Sequence, residues 1–345
     1  MNLDKLTSYL KQHTGRLKIM EVCGTHTSSI FRNGIRSLIS GDIVLVSGPG
    51  CPACVTPASA IDELIEISRE AEVLSFGDMF RIPGSNYSLA QAKAQGSKVR
   101  LIYSPLDALR IAKEQPGTQF VVAAVGFETT AVVYASLLEA LIKEDIQNVT
   151  LYTALKTIPE ALAYICAREQ IDAFICPGHV SVIIGSKPYR VLAEEYLKPF
   201  VIAGFEVEHI LAALYEIVTQ KKSGRFEVKN LYPSVVRESG QNKAKQLIGK
   251  YFEKTSSFWR GIGEIQNSGY SLKKEYEGFS ADINGDICHS GPEDLPDGCR
   301  CAAVLLGRIL PGECALFGGI CTPQNPVGSC MASSEGTCRI YSDFS

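Results

Sequence analysis

Short runs of Val, Ile and Leu punctuate the first two-thirds of the chain: LKIMEV, DIVLVS, AEVLSF, KVRLIY, TQFVVAAV, NVTLYTAL, DAFICP and PFVIAG. Their apolar positions are nearly continuous rather than alternating, the pattern of strands buried on both faces of a parallel sheet. Stretches with helical spacing lie between them, such as SAIDELIEISREA and TAVVYASLLEALIKED. Strands alternating with helical crossovers predict an α/β fold. The reading is two open parallel-sheet α/β units, residues 1–115 and 116–222, with EQPGT as the joint. From residue 223 the rhythm fades. Residues 223–345, rich in Gly, Pro and Cys, read as a third, Cys-rich and loop-dominated region.

Composition changes this picture at one point. The chain carries 12 cysteines but only 5 histidines. Such a count fits either a secreted disulfide scaffold or a metal and redox protein of the cytosol. The opening MNLDKLTSYLKQHTGRLKIM has no apolar core of the signal-peptide kind. The longest apolar stretch, FVVAAVGFETTAVVYASLLEALI, is broken by Gly126, Glu128 and two threonines, which argues against a membrane span. The expectation is a cytoplasmic protein. With 34 basic against 37 acidic residues, nothing in the charge asks for nucleic acid or an anionic membrane as partner.

The motifs follow directly after the strands, where open α/β sheets place their sites. Cys23-Gly24-Thr25-His26-Thr27 puts a thiol and an imidazole three residues apart. Such a pair can bind a soft or borderline metal, can make a nucleophile of the thiol, or can be a buried cysteine beside a structural histidine. Cys51-Pro52-Ala53-Cys54 is a Cys-x-x-Cys at an expected helix start, the setting of thiol–disulfide exchange. Cys301, Cys314, Cys321 and Cys338 are separated by 12, 6 and 16 residues, with Cys330 inside the last interval. Four thiols in a Gly/Pro-rich region suit a [4Fe–4S] cluster; zinc is the rival, although its sites usually show two close Cys pairs. Glu128 in GFETT and His179 in PGHVS stand on the same expected sheet edge, where either could serve chemistry or merely order a helix start. Glu206 in GFE is a weaker candidate, and Cys166 and Cys176 read as core.

Taken together, CGTHT, GPGCPACVTP, GFETT, PGHVSVIIG and CALFGGICTPQNPVGSCMASSEGTC resemble the HypD family of hydrogenase maturation proteins, in order over residues 17–341. The resemblance implies a scaffold for the Fe(CN)2CO unit of [NiFe]-hydrogenases. It implies two partners, a small HypC-like chaperone and a HypE-like donor that presents cyanide as a thiocyanate. By similarity Cys23 binds the iron with His26 beside it, and Cys51 and Cys54 are the redox pair. Cys301, Cys314, Cys321 and Cys338 are the ligands of a [4Fe–4S] cluster, with Cys330 as a substitute fourth ligand. Ala53 replaces the family's commoner valine, and the ending CRIYSDFS departs from its usual aromatic run. The alternatives are an iron–sulfur thiol–disulfide oxidoreductase acting on a protein substrate, and a zinc-stabilised interaction protein.

Overall fold

The computed structural model describes residues 3–281 and 295–344. Cys288, to which the sequence assigned no chemistry, lies outside them. Eleven strands form two sheets among the described residues: β1 Leu17–Glu21, β2 Ile43–Ser47, β3 Glu72–Ser75, β4 Val99–Leu101, β5 Phe120–Gly126, β6 Val149–Lys156, β7 Ala173–Cys176, β8 Phe200–Ile202, β9 Val228–Asn230, β10 Phe252–Trp259 and β11 Gly263–Leu272. The first eight are the expected apolar runs. Their continuous apolar character has its physical counterpart in β5, where all seven residues are buried.

One sheet has the order β2-β1-β7-β8-β9 and is parallel throughout. The other has the order β10-β11-β6-β5-β3-β4. Its β6, β5, β3 and β4 are parallel, and the β10–β11 hairpin is added antiparallel through Gly269 opposite Lys156. Parallel strands need covering helices on both faces. One apolar core packs the helices Leu3–Lys11 and Val207–Ser223 against the first sheet, and another packs Glu128–Lys143 against the second. The largest core runs from both sheets into the cysteine-rich region.

Sheet membership does not follow the expected division at residue 115. The chain builds β1 and β2, crosses to lay down β3–β6 in the second sheet, returns for β7–β9, and crosses again for the hairpin. Apolar rhythm marks a strand but does not name its neighbour. The stretch after residue 223 also holds more regular structure than expected: β9, the helix Asn242–Tyr251 and the hairpin. These were hard to read because β9 is three residues long, and a bulge between Thr255 and Ser257 breaks the alternation of β10. Loops and short helical turns dominate only residues 295–344. No helix among the described residues is long and apolar enough to cross a membrane.

The cysteine-rich region is tied to both sheets. Lys18 donates to the Gly307 carbonyl at 3.1 Å, and Arg36 donates to the Tyr341 hydroxyl at 2.7 Å. From the second sheet's side, Arg81 donates to the Pro323 carbonyl at 2.7 Å, while Arg308 forks onto Glu169.

Candidate functional site

Cys23 follows β1 and is the N-cap of the helix Gly24–Arg32, in extended backbone conformation. Two glycines make its position possible. A Cβ on Gly50 would lie 2.5 Å from the Cys23 nitrogen and 2.6 Å from its Cα, and one on Gly24 would lie 2.6 Å from the Glu335 carbonyl oxygen. The CGTHT turn is therefore wedged between the CPAC loop and the C-terminal segment. Only residues without a side chain allow that approach.

Burial pushes the Cys23 thiol up to about 11, against hydrogen bonds from Thr25 and His26 that favour the thiolate. A bound cation would reverse this balance, since a coordinating thiol is deprotonated outright. Beneath it is Glu21, a buried carboxyl that sequence reasoning missed. Its Oε2 accepts from the Cys23 N–H at 3.2 Å, and its Oε1 accepts from the Thr27 hydroxyl. Burial raises Glu21 to about 7, with the Ser47 and Thr27 hydrogen bonds opposing. The signal was an acidic residue inside the apolar run LKIMEV.

His26 is fully buried. Its Nε2 lies 3.0 Å from the Gly204 carbonyl, its Nδ1 has no partner, and burial lowers its pKa to about 4. The ring is thus neutral, with the Nε2 proton assigned by the carbonyl it faces and a bare Nδ1. Phe205 packs against both imidazoles, 4.8 Å from His26 and 4.4 Å from His179 between ring centres. His179 is exposed on the helix Gly178–Ile184. Glu206 is exposed at the start of the helix Val207–Ser223 and makes no side-chain cap.

Cys51 and Cys54 are joined as a disulfide across one turn of the short helix Pro52–Val55. The Cys54 N–H points at Cys51 Sγ at 3.2 Å, so the backbone favours negative charge on that sulfur. The two sulfurs face different surroundings. Cys51 lines a cleft of ≈ 220 Å³ together with Phe76, Asp78, Val125, Thr130, Ser333 and Glu335. Cys54 is fully buried, with its Sγ 4.0 Å from the Ser329 carbonyl. The Ser329 hydroxyl donates to the Cys54 carbonyl at 2.7 Å and lies 3.9 Å from Cys301 Sγ. One serine thus spans the Cys51–Cys54 disulfide and the C-terminal thiols.

Those thiols ring one enclosed cavity. Cys299, Cys301, Cys314, Cys321, Cys330 and Cys338 all line it, with Leu316, Phe317 and Met331 as apolar wall. Gly328 leaves room for Cys299, since a Cβ there would stand 2.7 Å from its sulfur. Among the described residues no group of three metal-ligating side chains converges tightly enough to clasp a single ion. Thiols lining one cavity are soft donors of the kind that hold an iron–sulfur cluster or zinc. The donor set fits a [4Fe–4S] cluster, with two thiols more than it needs. Cys301 and Cys330 are hydrogen-bonded to each other, which lowers Cys301 and raises Cys330 well above the thiol range. Burial pushes Cys299 up to about 12 and raises Cys338 as well.

Glu128 stands apart from the thiols. It opens the helix Glu128–Lys143, with Phe127 rather than Thr129 or Thr130 in the N-cap position. Its Oε1 accepts from the Ile158 N–H at 3.0 Å, at the start of the helix Ile158–Arg168, and its Oε2 has no partner. Burial raises it to about 8. It lines a separate cavity of ≈ 670 Å³ with Ile183, Ile184, Ile248, Phe252 and Tyr270. Cys166 and Cys176 are buried in a helix and in β7, as expected.

The family model described as "Hydrogenase formation hypA family", HypD, matches residues 2–345. A hydrogenase maturation factor HypD of Rhodobacter capsulatus is 42% identical over 331 residues, covering 94% of this chain and 88% of the relative. The HypD of Escherichia coli is 39% identical over 335 residues, covering 95% and 89%. A putative hydrogenase expression/formation protein of Methanocaldococcus jannaschii is 41% identical over 341 residues, covering 98% and 95%. A match of this extent, over a chain whose motif loops converge as described, places the protein in the HypD family of hydrogenase maturation factors.

Proposed function

We propose that this hydrogenase maturation factor is the scaffold on which the Fe(CN)2CO unit of a [NiFe]-hydrogenase is assembled. Cys23 is the thiolate that holds the iron cargo, with the neutral His26 beside it. Cys51 and Cys54 are the electron source, and Cys301, Cys314, Cys321 and Cys338 hold a [4Fe–4S] cluster, with Cys330 as the hydrogen-bonding neighbour of Cys301. The observation that carries this reading is the continuity of the three cysteine groups. Gly50 presses the CPAC loop onto Cys23, and Ser329 joins that loop to Cys301.

The chemistry balances on these residues. Releasing cyanide from a partner's thiocyanate breaks an S–C bond and takes two electrons, leaving a thiolate and a cyanide ion. The dithiol Cys51/Cys54 supplies both electrons, forming the disulfide and releasing two protons. Returning it to the dithiol takes two electrons, delivered in two steps by an external one-electron donor, and two protons from solvent. When bound, a cluster passes electrons singly. Cys51, on the open cleft, is the sulfur a thiocyanate-bearing or thiol-bearing partner reaches, and Cys54 faces the cluster side. A HypC-like chaperone and a HypE-like cyanide donor are the partners, and the cytoplasm the compartment. Glu128 and His179 stay secondary candidates: Glu128 orders a helix start beside its own cavity, and His179 packs the far face of Phe205.

Cys51→Ala is expected to abolish hydrogenase maturation in cells while the protein still accumulates. Undiminished maturation by that variant contradicts the role of the pair. Iron and sulfide in the anaerobically purified protein separate a cluster from zinc.

A further inference from the structure

Arg260 occupies the three-residue turn between β10 and β11, and only 1% of its surface is exposed. Its backbone N–H donates to the Val55 carbonyl at 2.9 Å, fastening the turn to the end of the CPAC helix. Its guanidinium is a different matter: Nε and both terminal nitrogens are buried with no hydrogen-bond partner. No ion pair compensates it among the described residues. Burying an uncompensated cation is costly, so natural folds supply a counter-charge.

The turn that carries Arg260 packs on the cysteine-rich region. Gly261, in left-handed conformation, packs so closely on the helix Cys301–Leu305 that a Cβ there would stand 2.8 Å from Ala302 Cβ. The neighbouring residue, Cys301, lines the six-thiol cavity, so the turn that carries Arg260 packs against the helix that forms part of the cavity wall. Four thiolates around a [4Fe–4S] core carry net negative charge, which grows on reduction.

We propose that Arg260 is the buried counter-cation of the thiolate-bound cluster, holding its reduction potential up. This rests on the cluster reading above and goes beyond it, because Arg260 belongs to none of the cysteine motifs. A fixed positive charge favours the more negative, reduced state. Arginine suits the place because a guanidinium holds its charge under burial more firmly than an ammonium does.

The test compares wild type, Arg260→Lys and Arg260→Gln, each reconstituted anaerobically with ferrous iron and sulfide. Iron and sulfide per chain are read first, then the cluster midpoint potential by EPR-monitored titration, then the Cys51/Cys54 midpoint by thiol labelling. Arg260→Gln is expected to disfavour reduction of the cluster about tenfold, equivalent to ~59 mV for one electron. Arg260→Lys should lie between it and wild type. Loss of the cluster from the glutamine variant alone also supports the assignment, since only the charge-bearing forms then hold it. A glutamine variant with an unchanged cluster potential overturns it, as does a shift confined to the dithiol or loss of iron from both variants. A wild type without iron and sulfide refutes the cluster reading itself and takes this assignment with it.

Discussion

At the scale of the residue, the site depends on what is missing as much as on what is present. Gly50 has no side chain because the space a Cβ would fill belongs to the backbone of Cys23. Backbone cannot step aside as a flexible side chain can. Gly50→Ala is therefore expected to cost about 1–3 kcal/mol of stability and to displace the Cys23 thiol, with loss of maturation activity. Denaturant unfolding and a maturation assay check both halves; an alanine variant with wild-type stability and activity contradicts the contact. Cys23, His26, Cys51 and Cys54 stood out in the sequence as candidates because reactive side chains are recognised by type and spacing. It did not reveal Glu21, Ser329 or Arg260. A serine, or a charged residue among others, acquires meaning only from burial and from neighbours far along the chain, as Ser329 does 275 residues from Cys54.

At the scale of the element, strand ends and helix starts do the positioning. Glu128 shows this: its carboxyl accepts from the first N–H of another helix, so one motif loop fixes two helix starts. Burial raises its pKa from the ordinary 4.5 to about 8. Between those values the unfolded chain releases a proton that the folded chain keeps, so the stability it contributes is complete below 4.5 and is lost as pH rises to about 8. The loss amounts to at most roughly 1.4 kcal/mol per pH unit across that window. Glu128→Gln keeps the Oε1 acceptor and cannot ionise. It should unfold at a higher temperature than wild type at pH 8 and at the same temperature below pH 4.5. A difference independent of pH would show that Glu128 is already ionised in the folded protein. Elements themselves were legible where apolar runs were long, as in β5, and illegible where a strand was polar and unburied, as in β9, or bulged, as in β10.

At the scale of the whole molecule, the chain visits its two sheets in turn and closes the visit with a cysteine-rich segment that touches both. That crossing explains why motifs more than 270 residues apart meet: Cys51 beside Ser333, Gly24 beside Glu335, Cys54 beside Ser329. The α/β class and the first eight strands were readable from periodicity, whereas β9, β10 and β11 were not. The interleaving was not, because pairing is decided by which faces bury each other rather than by any local pattern. The central claim is that this assembled site builds iron ligands at Cys23. The infrared spectrum of the anaerobically purified complex with the small chaperone partner tests it most directly. Bands of cyanide and carbon monoxide bound to iron in wild type, absent in Cys23→Ala, are the predicted result. A wild-type complex without those bands, or bands that persist unchanged in Cys23→Ala, would contradict it.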